Sequence, residues 1–161
     1  MIARRAISAL AFAAALAGIY RWAVLPYHCN IAKRPLVART DAIADERRDD
    51  IARAYAREAL AELKPLRRAC PRDVDLLMME AANLNAMAHP DEAIATYRQA
   101  LAVEKRPEIY FHLANTEYAA GHVEDAVRDG ALAVWFRPFL IADVDNPVLR
   151  AAIVERVPVN Q

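Results

Sequence analysis

Apolar positions fall into three regimes along the chain. From Ala6 to Leu25, "AISALAFAAALAGIYRWAVL", they run almost without interruption and no polar face repeats, so the segment reads as membrane-directed. From Asp41 to Leu63 they space out, and Ile51, Ala54, Tyr55, Ala59 and Leu63 share one face of a long amphipathic helix with Asp41 as its cap. Pro65 removes a backbone donor and predicts a kink or stop, leaving a short helical piece or a loop up to Pro71. Beyond it the spacing predicts two helical hairpins in series. Asp73 to Ala88 pairs with Asp91 to Val103 across "HPDE", and Pro107 to Ala120 pairs with Val123 to Phe136 across "GHVED". Gly121 is free to take the left-handed conformation in the second turn, and Pro138 closes the last helix. Asn146 then caps a short helix that Pro147 opens and Arg156 ends.

The two hairpins repeat each other. "DEAIATYRQAL" (Asp91 to Leu101) and "EDAVRDGALAV" (Glu124 to Val134) both write an acidic pair, then Ala, then an apolar residue, then a small residue seven on, and Ala93 and Ala126 lie 33 positions apart. Leu77, Ala81 and Leu84 precede the first of these helices; Tyr110, Leu113, Ala114 and Gly121 precede the second, with Ala133 and Pro138 after it. This pattern resembles the tetratricopeptide repeat, whose period is 34 residues. The resemblance covers Val74 to Pro138, with half of a degenerate earlier unit in "AREALAELKPLRRACP". Three residues depart from it: Glu80 stands where a leucine is expected, Glu117 where an aromatic is expected, and Gly130 where a bulky residue is usual.

The resemblance implies an all-α fold of tandem helical hairpins, a tetratricopeptide-like α-solenoid behind an apolar N-terminal helix. The units are a signal or anchor over 1–25, a linker over 26–40, an amphipathic segment over 41–70, repeats over 74–106 and 107–140, and a capping helix and tail over 141–161. Stacked repeats offer a concave groove to a protein or peptide segment. The family's groove positions fall on Asp75, Met78, Ala82 and Asn85 in the first repeat and on Glu108, Phe111, Asn115 and Tyr118 in the second. That set lacks the Lys and Arg cluster needed to clamp a C-terminal carboxylate.

Composition narrows the chemistry. With three Gly and one Ser, and with no Gly-rich phosphate loop, HExxH or paired Cys-x-x-Cys, the sequence offers nothing to hold a cofactor or metal, and the expectation is a non-enzyme. The formal charge of zero hides an asymmetry. Residues 1–40 carry six basic groups and no acid, so the remainder carries 15 basic and 21 acidic residues. A basic end on an acidic body argues against nucleic acid and for membrane proximity.

Two fates fit the leader: a membrane anchor through residues 6–25 that ends near "RWAVLPY", or an export signal cut near Ala17. The body then faces the exported, periplasmic side, or the cytosol if Arg21, Lys33, Arg34 and Arg39 set the orientation. Cys29 and Cys70 form a disulfide if the body is exported and stay free thiols if it is not. The functional expectation is a protein-interaction scaffold attached to or exported across a membrane. Alternatives are an assembly subunit of an oligomer that buries Trp135, Phe136, Phe139 and Leu140, and an accessory subunit of a membrane-bound glycan or lipid enzyme.

Overall fold

The structure is a computed structural model that describes residues 2–44 and 48–157. Helix α1 (Ile2–Ile19) runs into a π-helical turn over Tyr20–Val24 and then into α2 (Leu25–Ala32). Pro26 explains the wide turn: its ring has no N–H and crowds the preceding carbonyls, and the Leu25 amide bonds back to the Tyr20 carbonyl instead. After a turn at Lys33, α3 (Arg34–Ala44) and α4 (Asp49–Ala69) form a first hairpin. The repeats follow as α5 (Val74–Ala86) with α6 (Pro90–Val103) and α7 (Pro107–Ala119) with α8 (Val123–Phe136). A 3₁₀ segment, Pro138–Asp143, leads to α9 (Pro147–Arg156). Among the described residues there is no strand.

From α2 onward each helix packs on the next, and α3 and α7 both flank α5. Thus α3, α5 and α7 form one layer, and α4, α6 and α8 form the other. The small residues expected at the close approaches are fully buried: Ala81, Ala93, Ala100, Ala126 and Ala133. Ala59 is buried as well, 34 positions before Ala93, so α4 occupies the place of a second repeat helix. Leu77, Ile94, Tyr97, Ile109 and Leu113 fill the space between the two repeats.

The expected boundaries need three corrections. In place of a linker over 26–40 the chain is helical, because Leu36 and Cys29 pack against Leu63, Leu76 and Met79. Asp41 does not cap a helix; it lies exposed inside α3, and the next helix begins at Asp49, with Asp49 and Asp50 in its first turn. Pro65 neither stops nor ends α4, which continues through it to Ala69. Burial of Leu63 and packing of Leu66 on the same cluster offset a cost of about 3 kcal/mol for a helical proline.

At the other end Asn146 caps α9, its Oδ1 accepting from the amides of Val148 (2.9 Å) and Leu149 (3.0 Å). Leu149 and Ile153 bury themselves against Ala126, Val134 and Val144, so α9 covers the apolar side of the second repeat. Cys29 and Cys70 are joined by a disulfide, with Cα atoms 6.5 Å apart, which ties α2 to the end of α4.

Candidate partner-binding surface

The groove positions that the resemblance implies fall into two rows. Asp75, Met78, Ala82 and Asn85 fall on one side of α5, and Glu108, Phe111, Asn115 and Tyr118 on the equivalent side of α7. The adjacency of α5 and α7 brings the two rows side by side. Their members differ in availability. Asn85 is exposed, while Ala82 and Asn115 are half-buried. Met78 leans on the core between the repeats. Phe111 and Tyr118 pack against the cluster formed with α9, so the far end of the α7 row is partly occupied by the chain itself.

Asp75 and Glu108 are engaged in ion pairs within the chain. Asp75 accepts from Lys33 Nζ at 2.6 Å and from Arg106 Nη1 at 2.8 Å, and Lys33 also reaches Asp73 at 3.1 Å. Glu108 pairs with Arg137. The pairs repeat along the solenoid, since an acid in the first turn of the inner helix meets an arginine at the corner after its partner helix. Burial by itself would raise the Asp75 carboxyl, but Lys33 and Arg106 outweigh it and hold it below the ordinary carboxylate range. Burial would likewise lower Lys33, and Asp75 and Asp73 reverse the sign. Lys33, Arg106 and Arg137 have no local sequence signal, because their partners lie 42, 31 and 29 residues away.

The three departures from the repeat pattern each meet a partner. Glu80 receives a hydrogen bond from Arg67 Nε at 2.6 Å, joining α5 to α4. Glu117 is 0% exposed; its Oε1 accepts from Arg98 Nη2 at 2.8 Å, and its Oε2 has no hydrogen-bond partner among the described residues. Burial, aided by the charge of nearby Asp129, pushes the Glu117 carboxyl up to about 7 against the pull of Arg98. Gly130 leaves room for α9: a Cβ there would sit 2.4 Å from Ile153 Cδ1.

A second surface lies at the corner after α8. Trp135, Phe136 and Phe139 are exposed, whereas Leu140 is buried in the body and cannot share in an external contact. Tyr110 stacks on Phe136 with centroids 6.3 Å apart, Trp135 meets Phe136 edge-on at 4.7 Å, and Arg137 lies over Phe139 at 5.5 Å. Among the described residues no group of His, Cys, Asp and Glu is arranged to hold a metal ion.

No protein-family model matches the chain, and no curated protein matches it. Among solved structures, a thermophilic tetratricopeptide-repeat protein from Thermus thermophilus is similar at a TM-score of 0.58 and 24% identity, over 87% of this chain and 66% of that one. The chain therefore spans about two thirds of that protein's length, and the likeness concerns the fold, which is a tetratricopeptide-like helical solenoid.

Proposed function

We propose that the protein is a non-enzymatic, membrane-attached scaffold that recruits another protein through the α5 and α7 rows. The observation that carries this reading is the pairing of a stacked-hairpin body with a leader whose large apolar side chains from Leu10 to Val24 lie exposed. Leu10, Phe12, Leu16, Ile19 and Trp22 are all exposed, and the helical stretch Leu10–Ile43 is long and apolar enough to cross a membrane by length and composition. An extended partner segment would lie across Met78, Ala82, Asn85 and Asn115, with the two asparagines bonding its backbone. So short a surface gives modest affinity, and attachment to the membrane compensates by concentrating the protein beside its partner.

On this reading the body faces the oxidising side of the membrane, where the Cys29–Cys70 disulfide persists. An alkaline phosphatase fusion at the C-terminus, active only after export, tests this: activity in the membrane fraction supports it, and an intact but inactive membrane fusion refutes it. The Asn85→Ala, Asn115→Ala double variant tests the surface. It should melt like the wild type and capture less partner in a cross-linking pull-down, and unchanged capture removes the groove.

A second reading rests on Trp135, Phe136 and Phe139, an exposed aromatic group of the kind that oligomer contacts bury. It makes the protein an assembly subunit. A concentration-independent monomer in size-exclusion chromatography eliminates it.

A further inference from the structure

The leader and the body enclose a cleft that partner recruitment does not use. It measures about 560 Å³, with Arg21, Trp22, Leu25 and Pro26 on one wall and Arg72 and Asp73 on the other. Cys29 and Cys70 both line it, so the disulfide holds the two walls together. We infer that this cleft binds the phosphodiester headgroup of an anionic phospholipid from the membrane in which the leader sits.

Charge is the first argument. Arg21 and Arg72 have no ion-pair partner among the described residues. The one acid in the lining, Asp73, is already held by Lys33 at 3.1 Å and by capping α5, where its Oδ1 accepts from the Leu76 amide. Two unpaired guanidinium groups with a neutralised carboxylate leave a cationic cleft, and guanidinium forks match phosphate oxygens. Both sit beside apolar surface, for Trp22 is 83% exposed and Leu25 and Pro26 continue the same wall. A free anion would use the arginines alone. A phospholipid uses both, its glycerol and acyl region lying along Trp22.

Depth is the second argument, and it rests on the membrane-attached reading above. The run Ala6 to Leu25 is twenty residues, about 30 Å of helix and equal to the hydrocarbon thickness of a bilayer. Its C-terminal end, where Tyr20, Trp22 and Tyr27 are exposed, then stands at the headgroup level. The Pro71–Arg72 turn is held to this level by the disulfide one residue before it. The cleft thus meets lipid headgroups without any movement of the body.

The test uses full-length oxidised protein in dodecyl maltoside micelles, with retained lipid counted by native mass spectrometry. Phosphatidylglycerol should bind about 10-fold better than phosphatidylcholine. Arg21→Gln with Arg72→Gln should erase that preference while leaving melting unchanged. Arg72→Gln alone, outside the leader, should remove most of it if the double variant proves unstable. Equal retention of the two lipids, or a preference that survives the substitutions, overturns the inference. Displacement of phosphatidylglycerol by millimolar inorganic phosphate makes this a soluble-anion site and also overturns it. Alkaline extraction of cell membranes is scored separately: release of the chain refutes the anchor, while the micelle titration still decides the cleft.

Discussion

Glu117 is the place where a single substitution should change how stability responds to pH. The side chain, on α7, is buried and faces Arg98 from α6 and Asp125 and Asp129 from α8, and Arg128 pairs with both of those acids. Its carboxyl ionises at about 7 in the fold against 4.5 for the free group. Between those values the folded chain holds a proton that the unfolded chain has lost, so stability falls as pH rises from about 4.5 to about 7 and stays lower above it. At 1.36 kcal/mol per pH unit, and allowing for screening through the half-exposed Arg98, the loss is about 2 to 3 kcal/mol. In a chain of this size that is roughly 4 to 12 °C in Tm.

Glu117→Gln keeps the shape and removes the proton. Full-length wild type and variant are melted by circular dichroism in detergent at pH 5 and pH 8.5, and the quantity read is the difference between them, in which the histidines cancel. The variant should gain on the wild type by about 2 to 3 kcal/mol from the lower pH to the higher. Asp129→Asn should shrink the effect, because the Asp129 charge helps to raise Glu117. A difference that is constant with pH, or that turns in favour of the wild type as pH rises, would refute the reasoning.

Further substitutions probe the solenoid by thermal melting. Ala93→Asp or Ala126→Asp should cost several kcal/mol, because each puts a charge without a partner into a fully buried helix contact; melting like the wild type would sink the repeat packing. Ala88 sits at φ +60, where the second repeat has Gly121 at φ +86, so Ala88→Gly should stabilise by about 0.5 to 1 kcal/mol and Gly121→Ala should destabilise by about 1, with the opposite signs counting against it. Gly130→Ala should cost about 1 to 2 kcal/mol, as contacts of 2.4 and 2.8 Å to Ile153 outweigh the helix propensity gained. In an Ile153→Ala background the same change should be neutral or favourable, and an undiminished cost there would place the strain elsewhere.

The hairpins were legible because their signals are local. Small residues at Ala93 and Ala126, prolines at the first positions of α6, α7 and α9, and Asn146 before Pro147 each act within a turn or two of the chain. The segment 26–40 was not, because the contacts that hold it helical come from Leu63, Leu76 and Met79, far along the chain. Pro35 falls in the first turn of α3, where a missing N–H costs nothing, and Pro26 is absorbed by the π-helical turn. Asp41 likewise has a cap's chemistry without a cap's position. Leu36, Thr40 and Ile43 are buried, and Thr40 Oγ1 accepts from Asn83 Nδ2 at 3.2 Å, so tertiary contact carries the helix past it. The candidate rows were placed by the resemblance to the repeat family, and that resemblance does not show that Asp75 and Glu108 answer arginines about thirty residues on.

Those long-range pairs bear on why a solenoid this short holds its shape. In a stack each unit contacts only its neighbours, so rigidity has to be built at every junction. Arg106 to Asp75 and Arg137 to Glu108 lock the corner after each outer helix onto the inner helix before it, and Lys33 fixes the α2–α3 corner onto the same Asp75. Arg67 to Glu80 joins α4 to α5, and Ile153 over Gly130 seats α9. Two of the three residues that break the repeat pattern, Glu80 and Gly130, therefore fasten flanking elements to the repeats, while Glu117 joins one repeat to the other through Arg98. A leucine at Glu80 would leave Arg67 without that pair, and a bulky residue at Gly130 would expel α9. The same fastening leaves the acids of both candidate rows occupied, so on the proposed reading recognition on this face would fall to Met78, Ala82, Asn85 and Asn115, a neutral surface suited to an uncharged partner segment.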